Sequence, residues 1–187
     1  LEFCEVASTS LEFAHATVLP ISKGGIYSDE ICSRIEKRML SDVIFFFPYM
    51  AVVTSFQDWV YNNISYIPTA EECDSKWGEL WNQYIPGIDF TGEEEYRNKG
   101  WQRKSHIFDQ PFYYVEYGIA YLGALQFKER FSHNPSSAMK DYLSALSIGG
   151  TSSIPELFKA AGLRFNLESV GIREIFTPIA NRLRELD

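Results

Sequence analysis

The chain has 187 residues, 45% of them apolar and 22% charged, the proportions of one globular domain around one core, which sets aside disorder and fibrous repeats. With 17 Lys and Arg against 25 Asp and Glu the formal charge is −8 at pH 7, so an electrostatic grip on a phosphate backbone is excluded as the main function and nucleic acid is not an expected partner. The three cysteines, Cys4, Cys32 and Cys73, are odd in number and form no Cys-x-x-Cys pair, which argues against a disulfide framework or a cysteine zinc site and for a reducing, cytoplasmic compartment.

The amino terminus, Leu1-Glu2-Phe3-Cys4-Glu5, carries acid where a secretory signal carries base, and it reads as a piece of a longer chain. A first helix is predicted over 2–19. Glu5 and Glu12, two turns apart, share a face there with Ser8, Thr9 and Ala16. A carboxylate set among Phe3, Val6, Leu11 and Phe13 needs a cation or several donors if it is buried. The alternative is that both carboxylates face solvent or cap neighbouring amides. Glu12-Phe13-Ala14-His15 also matches one Glu-x-x-His step of a di-iron bundle, but the sequence holds no second copy.

A long second helix is predicted over 29–63. Its uncharged stretch, 43–57, falls short of the roughly 20 residues a bilayer demands, so no membrane is expected and the helix should be enclosed by others. Phe45, Phe46, Phe47, Tyr49 and Met50 place apolar groups around most of its circumference, and Pro48 should bend it.

Further helices are predicted over 69–84, 92–104, 112–133, 136–147, 153–161 and 168–186. Thr69, Thr91 and Ser153 each precede a Glu by three residues, the pattern in which a hydroxyl and a carboxylate share the free amides of a first turn. Ile172, Ile175, Ile179, Leu183 and Leu186 form one stripe on the last helix. Period-two alternation is nearly absent. The class is therefore all-α, and the unequal helix lengths exclude a simple four-helix bundle.

No two of the three histidines, His15, His106 and His133, stand four apart, so a two-histidine helical zinc motif is missing from this chain. The segment richest in chemistry is Ser105 to Tyr121. Pro111 suits a first helical turn, His106 precedes it on a loop, and Tyr113, Tyr114, Tyr117 and Tyr121 recur at helical spacing. Such phenols line a cleft as donors or pack with their hydroxyls reaching water. His106 could donate to a developing oxyanion, or could be a capping or surface histidine.

His106-Ile107-Phe108-x-x-Pro111-Phe112-Tyr113-Tyr114-x-x-Tyr117 resembles the substrate-binding segment of the oligoendopeptidase F group, within the thimet oligopeptidase-like zinc metallopeptidases. Glu5-Val6-Ala7-Ser8-Thr9 with Glu12 resembles that family's helix carrying the third zinc ligand. Phe56-Gln57-x-Trp59-Val60-Tyr61 resembles its motif on the long helix, and Gly149-Gly150 through Pro155-Glu156-Leu157 to Ala161-Gly162 its C-terminal stretch. The order and spacing agree over nearly the whole chain.

The resemblance implies an irregular multi-helix, thimet oligopeptidase/neurolysin-like fold, with residues 1–187 forming a single helical unit, the C-terminal portion of a larger catalytic domain. It implies Glu5 as a zinc ligand and Glu12 as the group orienting a ligand by hydrogen bond. His106, Tyr113, Tyr114 and Tyr117 would hold substrate, with His106, Tyr113 and Tyr117 stabilising the oxyanion. At the family's further tyrosine this chain has Ala120, with Tyr121 beside it. The two zinc histidines and the Glu that activates water are expected upstream, in the same polypeptide. The expectation is thus a zinc metalloendopeptidase of short peptides, with one Zn²⁺ completed outside this chain, which alone would be inactive. The rival readings are a metal-free helical peptide-binding module and a di-iron or other carboxylate-metal helical protein.

Overall fold

The computed structural model describes residues 2–62 and 65–186. The chain runs through α1 (Glu2–Ala16), α2 (Asp29–Tyr61), α3 (Ala70–Tyr84), α4 (Glu94–Asn98) with a 3-10 turn at Lys99–Arg103, α5 (His106–Asp109), α6 (Tyr114–His133), α7 (Pro135–Ile148), α8 (Ile154–Ala160) and α9 (Ser169–Leu186). Among the described residues the sole β-type pairing is an isolated bridge between Pro20 and Tyr27, so the fold is all-α, as the periodicity predicts. The predicted end of the second helix at residue 63 lies outside the described residues, as do the chain ends at 1 and 187.

Local chemistry accounts for several helix ends. At α3, Thr69 accepts from the amide of Glu72 at 3.3 Å, and the Glu72 carboxylate accepts from the Thr69 amide at 2.8 Å. At α8 the Glu156 carboxylate takes both the amide and the hydroxyl of Ser153 at 2.9 Å. The predicted cap at Thr91 does not form. Its amide and hydroxyl both donate to Asp89, a charged and nearer acceptor, Gly92 turns the chain at a φ of 84°, and α4 starts only at Glu94.

The chain divides into two compact units, Leu1–Val43 with Ile119–Asp187, and Ile44–Gly118. Composition suggested one core; each unit has its own. In the first, Phe3 of α1 meets Phe158 of α8 edge to face at 6.1 Å, and Phe127 of α6 lies 5.3 Å from Tyr142 of α7. The Tyr142 hydroxyl donates to the Ala7 carbonyl at 3.2 Å, tying α7 to α1. A Cβ at Gly123 would stand 2.7 Å from Val6 Cγ1, so α1 can approach α6 only because that side chain is missing. The stripe on α9 faces inward, with Ile179 buried and Ile172, Ile175, Leu183 and Leu186 half-buried.

One cation joins three segments of this unit. Arg130 of α6 donates to Asp141 of α7 and to the Ala161 carbonyl just after α8. Gly162, next along, has a φ of 68°, and a Cβ there would fall 2.2 Å from the Arg130 guanidinium.

In the second unit Val52, Val53 and Phe56 of α2 pack with Cys73, Trp77 and Leu80 of α3. The Phe56 ring sits 5.2 Å from Trp77 and 5.8 Å from Trp101, so one fully buried aromatic holds α3 and the 3-10 turn against α2. The predicted all-round enclosure of α2 holds for this stretch but not for Ile44 and Phe45, which are exposed. By length and composition alone the whole of α2 is long and apolar enough to cross a membrane, although its uncharged stretch 43–57 is shorter than a bilayer demands.

Candidate active site

The richest cluster of polar aromatic groups is built on the segment between α5 and α6, within the second unit. Ile107, 2% exposed, anchors the single turn of α5, so His106 begins a helix rather than standing on a loop. The helix predicted from 112 starts at Tyr114 instead. Phe112 has a φ of 64°, the only positive φ at a non-glycine among the described residues, and a right-handed helix cannot run through it. That conformation costs roughly 1–2 kcal/mol for a residue with a Cβ. Pro111 therefore lies in the turn before α6 and not in its first turn.

Two side chains of α2 secure this turn. Gln57 is fully buried, and its Oε1 accepts from the Phe112 amide at 2.7 Å while its Nε2 donates to the Val53 carbonyl at 3.4 Å. Tyr61, one turn further on, donates its hydroxyl to the Ile107 carbonyl at 2.6 Å and meets the Phe112 ring at 5.8 Å.

The secured segment brings four predicted residues together. His106 is half-buried, its Nε2 is 3.2 Å from the Tyr117 hydroxyl, and its ring meets Tyr114 and Tyr117 edge to face at 5.2 and 5.6 Å. Tyr113 packs edge to face on Tyr117 at 5.5 Å, as Tyr114 does at the same distance. Burial pushes the His106 pKa down, the positive charge of Lys104 adds to this, and Asp109 pulls weakly the other way. Lys104 lies 5.0 Å from the Tyr49 ring and 4.7 Å from the Tyr114 ring, and burial lowers its own pKa. The lowered pKa favours the neutral imidazole, which can donate one N–H while phenols donate beside it, a set of donors suited to a carbonyl oxygen that gains charge.

Tyr121 is not part of this cluster. It belongs to the first unit, where its ring meets Phe13 at 6.1 Å, and burial first, then the charges of Glu12 and Asp42, raise its pKa. Glu5 and Glu12 also belong to the first unit, on α1, where Glu5 is half-buried and Glu12 is exposed. His15, completing the Glu-x-x-His step, is exposed too, and His133 pairs with Glu129 at 2.9 Å. Among the described residues no group of three or more His, Cys, Asp or Glu could hold a metal ion. The described residues therefore do not make a metal site of their own.

A cavity of about 820 Å³ lies within the first unit, lined by residues that include Leu40, Leu125 and Ile179. Several of its charged lining residues pair with one another: Glu36 accepts from Lys128 and Arg182, and Arg164 pairs with Glu174.

Sequence reasoning missed Gln57, Tyr61 and Lys104 as working parts. For Gln57 a signal existed: an amide on the face set by Val53, Phe56 and Val60 must find a partner or bear the cost of burial.

The model of peptidase family M3 matches residues 1–175, and this chain belongs to that family. Its fold is shared with solved structures. PZ peptidase A, solved with an inhibitor, gives a TM-score of 0.87 at 32% identity, covering 100% of this chain and 32% of that one. A protein assigned as oligoendopeptidase F gives 0.86 at 31% identity, with 100% and 32% covered. Another so assigned, from Bacillus anthracis, gives 0.75 at 27% identity, with 100% and 29% covered. This chain thus spans about a third of the length of the solved structures it matches. No curated protein matches it.

Proposed function

We propose that this chain is the C-terminal part of the catalytic region of a zinc-dependent endopeptidase that cleaves short peptides in the cytoplasm. The observation that carries the reading is the His106–Tyr117 contact, with Tyr113 against it, on a segment whose backbone is held in a strained conformation. Membership of a peptidase family supports it.

In this reading the chain contributes one carboxylate and one wall of the cleft. Glu5 ligates zinc, and Glu12 orients a ligand by hydrogen bond. Zinc, when bound, supplies an acidified water and polarises the peptide carbonyl. His106 and the hydroxyls of Tyr113 and Tyr117 donate to the carbonyl oxygen as it gains charge, and Tyr114 helps to hold the substrate. The lowered pKa of His106 suits this work, because a neutral imidazole donates without surrendering its proton to solvent. The remaining zinc ligands and the group that takes the proton of water lie in the upstream part of the polypeptide, so this chain alone is inactive. The net charge of −8 disfavours nucleic acid as a partner, and the burial of Val52, Val53 and Phe56 supports α2 as a core helix rather than a membrane span.

The test uses the complete polypeptide. Native mass spectrometry should find one zinc per chain, and an internally quenched short peptide should be cleaved until a chelator removes the metal. Glu5→Gln should sharply lower zinc occupancy at unchanged helicity. Full zinc retention in that variant sinks the ligand assignment. Peptide bound but never cleaved, with no metal present, gives the chain to the rival reading, a non-catalytic helical peptide-binding module.

A further inference from the structure

The turn between α5 and α6 carries a cost that its own residues do not meet. Phe112 is held at a φ of 64° although 42% of it is exposed, so burial of its own side chain does not keep it there. What it does have is an acceptor: the buried Gln57 carboxamide at 2.7 Å from its amide. At the other end of the turn the Tyr61 hydroxyl takes the Ile107 carbonyl at 2.6 Å. Gln57 and Tyr61 are one helical turn apart on α2, so they present an acceptor and a donor on the same face. Between the two points they grip lies the whole stretch that separates His106 from Tyr113.

We propose that Gln57, with Tyr61 beside it, is a positioning residue that fixes His106 relative to Tyr113 and Tyr117 by clamping the strained turn between them. The inference rests on the reading of His106 and the tyrosines as substrate-contacting groups. Gln57 touches no substrate; it acts through the backbone. Its carboxamide suits the task for two reasons. It is buried, so the bond to Phe112 does not compete with water. It belongs to a helix packed by Phe56 and Val53, so its anchor does not move with the turn. Without the acceptor, Phe112 relaxes toward a negative φ, the first turn of α6 swings, and the His106 Nε2 to Tyr117 hydroxyl spacing changes.

The test is Gln57→Met in the complete protein, close in volume but without the acceptor. Amide hydrogen exchange over residues 107–113 should quicken while the rest of α2 stays protected. Turnover of a quenched peptide should fall on the order of 10–100-fold, the scale of a small misplacement of reacting groups, with KM within about twofold. Adding Phe112→Gly should recover most of the lost kcat, because glycine adopts a positive φ without steric cost. A merely structural role for Gln57 gives no such rescue. Should Gln57→Met fail to fold, Tyr61→Phe, at an exposed residue and short by one hydroxyl, is read the same way.

Unchanged exchange over 107–113 overturns the clamp. Faster exchange with unchanged kcat in a protein that cleaves peptides overturns the positioning role. Faster exchange in a protein that cleaves none overturns the catalytic purpose through failure of the peptidase reading, which the exchange measurement separates from failure of the clamp.

Discussion

The Nε2 of His106 lies 3.2 Å from the hydroxyl of Tyr117, eleven residues and one strained turn away. Tyr117→Phe removes the hydroxyl and leaves the edge-to-face ring contact. In the complete protein we expect kcat for a short peptide to fall by about 10²–10³-fold, the usual cost of an oxyanion donor, with the melting temperature nearly unchanged. Steady-state kinetics beside a thermal melt decides it; unaltered kcat returns Tyr117 to packing.

The titration of His106 provides a second check. Burial and Lys104 lower its pKa below the 6.5 usual for an imidazole, so the folded state resists the protonation that the unfolded chain accepts. Its contribution to stability is present above about pH 6.5 and is lost as pH falls through the lower, folded pKa. An NMR titration of the imidazole should find it below 6.5, and Lys104→Met should move it part of the way back, since burial, the larger cause, remains. A titration at or above 6.5 in the wild type contradicts the geometry.

Glu36 is the electrostatic centre of the first unit. It accepts from Lys128 at 2.8 Å and from Arg182 at 2.8 and 3.1 Å. Burial pushes its pKa up, and the hydrogen bonds from Arg182 and Lys128 bring it below the usual value. The stabilisation is therefore present above about pH 4.5 and disappears as pH falls through the folded pKa. Glu36→Gln should lower stability by about 1–2 kcal/mol at pH 7, and by much less near pH 3. Urea denaturation at the two values measures the difference.

Phe127 has no exposed surface and sits among α6, α7 and α8. Phe127→Ala should destabilise by roughly 3–5 kcal/mol through lost transfer energy and a residual cavity. A urea midpoint unchanged from wild type contradicts this packing.

Most of the helices were legible because apolar residues recur at three and four, and Thr69 and Ser153 act where their spacing to Glu predicts. The differences have local causes. α1 ends at Ala16 rather than 19, because the amides of Thr17 and Val18 turn back to Ala14 and His15 and the Thr17 hydroxyl takes the Ala14 carbonyl at 2.7 Å. Tyr113, Tyr114 and Tyr117 were visible as a cluster in the sequence. What holds them was not, because Gln57 lies 55 residues from Phe112 and Tyr61 lies 46 from Ile107. Periodicity reports which face is apolar and says nothing of which distant amide needs an acceptor. The division into two cores was hidden for a similar reason, since composition counts apolar residues without sorting them into neighbours.

Arg130 reaches Asp141 and the Ala161 carbonyl from the space that Gly162 leaves empty. The end of α6, the middle of α7 and the turn after α8 thus share one guanidinium, and each of the three gives up a bond to it on opening. Under native conditions these segments should lose amide protection together, as one cooperative unit, rather than fraying singly from their ends.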